Sequence, residues 1–214
     1  KLGCLLRWRK EEGAQPETLV GDDCEADAFV YSLYADLTAG RVGGSELDAV
    51  LDATGCHLAT RQAVLDALDG VVLGDRVRRI LIHLDRRTDP GALDVYGPRL
   101  VPVYNYFQVV AILWADERLD RRALVDVAAE LAVSAGYGAG ALLHALEDLV
   151  RRGHLRVEQA EEAGTSIAPI LGPRRSADLG IRLAAADRER STPAMRGAGA
   201  RIDYMALRAR GRRG

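Results

Sequence analysis

The stretch from Ala141 to Val157, ALLHALEDLVRRGHLRV, most narrows what this chain can become. Leu142, Leu143, Leu146, Leu149 and Val150 recur at helical spacing, Gly153 offers a stop, and Leu155 and Val157 then alternate as strand residues do. The same order of apolar positions occurs 78 residues earlier, in AVLDALDGVVLGDRV from Ala63 to Val77. A helix running into a β-ribbon, written twice, reads as an internal duplication. The 214 residues, 48% of them apolar, leave room for two small cores of roughly 80 to 100 residues each.

Taken in order, residues 1–23 read as a lead-in of low order that ends in Gly21-Asp22-Asp23. Asp22 or Asp23 is a plausible cap for a helix over Ala26–Leu37, with Phe29, Val30, Leu33, Tyr34 and Leu37 on one stripe. Further helices are expected over Leu47–Ala53 and from about Leu58 to Val72. Arg76–Leu84, RVRRILIHL, alternates as a half-buried strand, and Leu93–Val103 is its return, demoted to an edge strand or linker by Pro98 and Pro102. Arg86–Gly91 is the tip between them.

The second copy repeats the layout. Phe107–Ala115 echoes the first helix, with Trp114-Ala115-Asp116 answering Tyr34-Ala35-Asp36, and Asp120 caps the next helix. The opening stretch supplies a third helix and a first ribbon strand. Ile167–Leu171 is its expected return, after an acidic tip at Glu158–Thr165. From Arg174 onward apolar residues thin out, so the tail reads as flexible, with a marginal helix at Leu179–Arg190 that orders only on a partner.

The two-copy pattern over about residues 24–172 resembles tandem winged-helix proteins. The resemblance implies an α+β, mainly helical fold: a lead-in (1–23), two winged-helix units in tandem (24–103 and 104–172) and a disordered, basic C-terminal tail (173–214). In size and acidity the chain is similar to the kleisin-interacting subunits of chromosome-condensing complexes, which bind protein partners; in layout it is equally similar to winged-helix transcription regulators. In the first unit Thr60, Arg61 and Gln62 fall where a helix-turn-helix reader places groove-contacting side chains, Arg suiting guanine and Gln adenine. Arg76, Arg78, Arg79, Arg86 and Arg87 would supply phosphate anchors beside that helix, or a solvated strand face. The second unit's third helix begins Gly138-Ala139-Gly140-Ala141 and carries Glu147 and Asp148, which suits close packing on a partner better than contact with phosphates.

Charge refines this expectation. Residues 174–214 hold 11 arginines against 4 acidic residues, a net of +7, which leaves 18 basic against 27 acidic, or −9, for residues 1–173. Because Lys1 and Lys10 are the only lysines, arginine is the default base and its clusters weigh less as phosphate sites. The basic tail reads as an arm for nucleic acid or an acidic protein, or as a composition-biased terminus. Cys4, Cys24 and Cys56 lack disulfide spacing, and Cys56, His57 and His83 lack paired metal-ligand spacing, so no metal or cofactor is expected. Residues 1–10 are too short for a signal core, and no window nears the roughly 18 apolar residues of a membrane span, which points to an intracellular chain. Gly138–Ala141 follows a helix and not a strand, so it fails the dinucleotide-binding context, and Asp22 with Asp23 and Glu161 with Glu162 read as solvated loop charges. The expectation is a non-enzymatic protein: the first unit and tail touch nucleic acid, and the second unit assembles with a protein partner or as a homodimer. A pure protein-interaction subunit is the alternative.

Overall fold

The structure, a computed structural model, describes residues 1–190 and 201–211. It is α+β and mainly helical, and the chain divides into two compact units: residues 1–102 with 196–214, and residues 103–195.

The first unit opens with α1 (Leu2–Glu12) and β1 (Glu17–Asp22), so most of the expected lead-in is regular structure. Three helices follow, α2 (Asp27–Thr38), α3 (Gly44–Ala53) and α4 (Leu58–Leu68), then β2 (Val77–His83), a 3-10 helix over Pro90–Tyr96, and β3 (Leu100–Val103). The sheet order is β1-β2-β3. β1 and β2 run parallel, with Leu19 beside Ile80, Val20 beside Leu81 and Asp22 beside His83. Parallel neighbours need a crossover, and α2, α3 and α4 form it. The expected hairpin wing is therefore replaced: β2 lies between two partners, and the Arg86–Gly91 tip leads into the 3-10 helix that Pro90 starts and Asp89 caps. The run Val77, Ile80, Leu81 and Ile82 is buried, as expected of a central strand with both faces covered.

A buried ion pair ties α1 to this sheet. Arg9 is fully buried; its Nη1 pairs with Glu17 at the start of β1, and its Nε and Nη2 donate to the carbonyls of Val72 (3.1 Å) and Gly74 (2.8 Å). The Tyr34 hydroxyl of α2 donates to the other Glu17 oxygen at 2.7 Å. At the other end of the unit α11 (Tyr204–Gly211) packs on α3, with Tyr204 buried and donating to Asp36 at 2.6 Å.

The second unit is helical throughout its described residues: α5 (Tyr106–Ala115), α6 (Arg121–Ser134), α7 (Ala139–Arg151), α8 (Val157–Ser166), the short α9 (Ala168–Leu171) and α10 (Pro173–Arg188). The strand expected at Leu155–Val157 is a turn followed by the first residue of α8, and the expected return Ile167–Leu171 is α9. The reason lies in Arg156–Gln159: the Gln159 side chain accepts from the Arg156 N–H at 3.1 Å and starts a helix where two alternating residues suggested a ribbon. α7 is the hub, with Leu142, Leu143, Leu146, Leu149 and Val150 buried.

The tail is also corrected over Pro173–Arg188, which forms α10 against α7 and α8 without a partner chain. Leu179, Leu183 and Ala186 are buried there. Gly164 of α8 makes this possible, since a Cβ at that position would sit 2.6 Å from a Leu179 methyl. The expectation for residues 191–200 and 212–214 falls outside the described residues.

Candidate functional site

The expected reading helix is where the sequence placed it, with Thr60 and Gln62 exposed in the first turns of α4. Arg61 is occupied within the unit. Its Nε and Nη2 hold both oxygens of Asp48 on α3, at 2.6 and 2.5 Å, and Nη1 reaches Asp52 at 3.2 Å. This clamp pushes the Arg61 pKa up and the Asp48 pKa down, each chiefly through the mutual hydrogen bonds. The Gln62 amide donates to Asp66 at 2.8 Å.

Of the five companion arginines, Arg76, Arg78, Arg86 and Arg87 are exposed and Arg79 is half-buried. They are not gathered. Arg76 precedes β2 while Arg86 and Arg87 follow it, so a seven-residue strand, about 20 Å at strand rise, separates them. Arg87 turns the chain with a left-handed φ of 59°.

A different group is brought together. β1 ends in Gly21-Asp22 and β2 ends beside it in His83, so the residues after both strands emerge at one end of the sheet. Gly21 permits a close approach of α2: a Cβ there would lie 2.4 Å from the Asp27 carboxylate and 2.7 Å from the Tyr31 ring. Asp27, almost fully buried in the first turn of α2, accepts from the Asp22 N–H at 3.3 Å and from Lys1 Nζ at 2.6 Å. Lys1 also reaches Glu25 at 2.5 Å. The hydrogen bond that Lys1 donates to Asp27, then the one to Glu25, raises the Lys1 pKa and keeps the ammonium charged.

The loop between β1 and α2 is folded by its own carboxylates. Asp22 accepts from the N–H groups of Cys24 (2.8 Å) and Glu25 (3.3 Å), and the Cys24 thiol donates to Asp85 at 3.3 Å. That hydrogen bond to a carboxylate is the main cause of the raised Cys24 pKa, which keeps sulfur as thiol. Asp23 reaches across to the loop after β2 and accepts from the N–H groups of Arg86 (2.8 Å) and Thr88 (3.0 Å). Burial opposes its ionisation, yet these donors outweigh it and hold its carboxyl below the ordinary range. Neither Asp22 nor Asp23 caps α2, whose preceding residue Ala26 makes no side-chain cap; their reading as solvated charges is corrected to loop-forming hydrogen bonds.

Lys1, Asp22, Glu25, Asp27 and Asp85 thus surround the carboxyl ends of β1 and β2. Among the described residues no three His, Cys, Asp or Glu side chains are grouped to hold a metal ion by themselves. Lys1 and Asp27 escape sequence reasoning because the contact that joins them spans 26 residues. The available signal was Gly21-Asp22 directly after Thr18-Leu19-Val20, a short strand with a glycine at its carboxyl end.

In the second unit Glu147 and Asp148 do not form a repelling acidic face. Buried Glu147 is paired with Arg182 of α10, whose Nη2 lies 3.0 Å away, and Asp148 accepts from Gln108 (2.8 Å) and Arg152 (2.5 Å). The small-residue start of α7 is met by the unit's own Arg175, whose guanidinium lies 3.7 Å from where a Gly140 Cβ would stand. No helix among the described residues is long and apolar enough to cross a membrane. No protein-family model, curated protein or solved structure matches this chain.

Proposed function

We propose that the first unit binds a small phosphorylated molecule together with a divalent cation at the carboxyl ends of β1 and β2. The observation that carries this reading is the gathering of Lys1 with Asp22, Glu25, Asp27 and Asp85 around the shared end of two parallel strands. Open sheets with parallel strands bind ligands outside those ends. One ammonium against four carboxylates leaves a local excess of negative charge, so a phosphate alone is repelled and a cation is required. Magnesium-like ions need only one or two protein carboxylates when phosphate oxygens and water complete the shell. Lys1 then serves as a point charge for the phosphate.

Calorimetric titration of the chain with Mn2+, with and without phenyl phosphate, tests this. Each ligand should tighten the other's binding, and Asp27→Asn should weaken both at least tenfold. Independent, weak binding of each ligand would count against the proposal.

A second reading, nucleic-acid association by the first unit with assembly through the second, is favoured by the exposure of Thr60, Gln62, Arg76, Arg78, Arg86 and Arg87 and by the helix succession α2–α4 that the winged-helix resemblance implies. Arg61 would have to leave Asp48 to take part. Duplex affinity that falls steeply with salt, and less steeply in an Arg78→Ala, Arg86→Ala variant, would support it; affinity indifferent to salt would exclude it.

A further inference from the structure

Beside the loop that follows β1, the first unit carries a half-open cavity of about 510 Å³, within the size range of small-molecule sites. Its walls are largely apolar, with Phe29, Leu33 and Ile82 contributed by α2 and β2. Leu207 of the C-terminal segment completes the lining. That segment is fixed by three contacts: Tyr204 donates to Asp36, its ring meets Phe29 edge-on at 5.5 Å, and Arg201 pairs with Glu46. Phe29 therefore belongs both to the cavity wall and to the anchor of the segment.

Among the described residues, the charged members of this lining are Asp23 and Glu25, both acidic. The Asp23 carboxylate accepts from the N–H groups of Arg86 and Thr88, and these donors hold it in the charged form. A carboxylate at the edge of an apolar chamber complements a cation attached to an apolar body and repels an anionic head group.

We propose that this cavity is a binding site for an amphipathic amine, an alkyl or aromatic body carrying one protonated amino group that faces Asp23, with the C-terminal segment around Tyr204 as its closing wall. The site adjoins the Lys1 centre and shares Glu25 with it, but the carboxylate that faces the amine, Asp23, is not among that centre's residues. Segment docking and amine binding are coupled, because displacing Leu207 and Tyr204 removes part of the wall and unsettles Phe29.

The matched series 4-phenylbutylamine, 4-phenylbutanol and 4-phenylbutanoate, titrated into the full chain without divalent cation or phosphate, tests the site. The amine should bind at least tenfold more tightly than the carboxylate, with the alcohol between them. Asp23→Asn should bring the ratio of amine to alcohol affinity to about one, a change in selectivity that general destabilisation does not produce. Leu33→Trp should fill the chamber and abolish binding; Ala28→Leu, which fills less of it, serves if that variant does not fold. Tyr204→Ala should weaken the amine severalfold and increase protease cleavage after Arg201. Equal binding of amine and carboxylate, or unchanged affinity in the filled variants, would overturn the proposal.

Discussion

Arg9 brings a full charge into the interior of the first unit and meets Glu17, two carbonyls and, through Glu17, the Tyr34 hydroxyl. Such a pair adds little over a well-packed apolar substitute, but removing one partner strands the other without water. Glu17→Leu should therefore cost about 3–5 kcal/mol in urea unfolding, while a double Arg9→Met, Glu17→Leu change should recover most of it. A double variant as unstable as the single would show that the packing, not the stranded charge, sets the cost. Gly21 is a second residue whose identity is fixed by its surroundings: Gly21→Ala forces apart β1 and Asp27, costs about 1–3 kcal/mol, and should loosen the Lys1–Asp27 contact on which the proposed phosphate site depends. Sequence reading passed over both positions. Arg9 sits in a segment that reads as a lead-in of low order, and only the fold reveals that Val72 and Gly74 turn their carbonyls towards it.

At the scale of elements, helices with an apolar stripe were legible. α2, α3, α5 and α7 lie within a few residues of their expected ranges because Leu33, Leu51, Ile112, Leu146 and their neighbours recur with the helical period. β2 was legible as a strand, although its expected half-buried alternation gives way to three consecutive buried residues, Ile80 to Ile82. The misread elements are decided either by a local cap or by contacts far away in sequence. Leu155 and Val157 alternate over only three residues, too few to outweigh the Arg156–Gln159 cap. α10, judged too polar to hold itself, needs only Leu179, Leu183 and Ala186 once Gly164 opens a seat and Glu147 waits for Arg182. Leu183→Ala should accordingly cost about 2–5 kcal/mol in thermal unfolding, the loss expected of a core leucine and not of a tail residue. An unchanged melting temperature would return α10 to the status of a loosely attached helix. β1 was missed for a further reason: its strand partner, β2, lies about sixty residues away, across a crossover that no short pattern announces.

For the molecule as a whole, the −9 and +7 of the two segments do not translate into an acidic body and a free basic arm. Arg182 pairs with Glu147, Arg190 with Asp187 and Arg201 with Glu46, so part of the basic charge is answered within the fold. The stability of the first unit should also fall at alkaline pH. Burial, then the hydrogen bond to a carboxylate, raises the pKa of both Tyr34 (with Glu17) and Tyr204 (with Asp36). The unfolded chain releases these protons near pH 10 while the folded one retains them, so their stabilisation is complete below that pH and is lost as pH rises above it. A Tyr204→Phe variant should show a shallower decline above pH 10 in chemical denaturation; an identical slope would mean that Tyr204 ionises freely in the fold.

The chain's clearest repeat, α7 and its echo in α4, specifies helices, whereas the arrangement with chemical potential lies where neither copy pointed, at the ends of β1 and β2. Paramagnetic broadening of amide resonances by Mn2+ in the presence of phenyl phosphate tests that centre most directly. The proposed site predicts selective loss of the Gly21–Asp27 and Asp85 signals, with the effect abolished by Asp27→Asn. Broadening spread evenly over the acidic surface, or centred elsewhere, would contradict it.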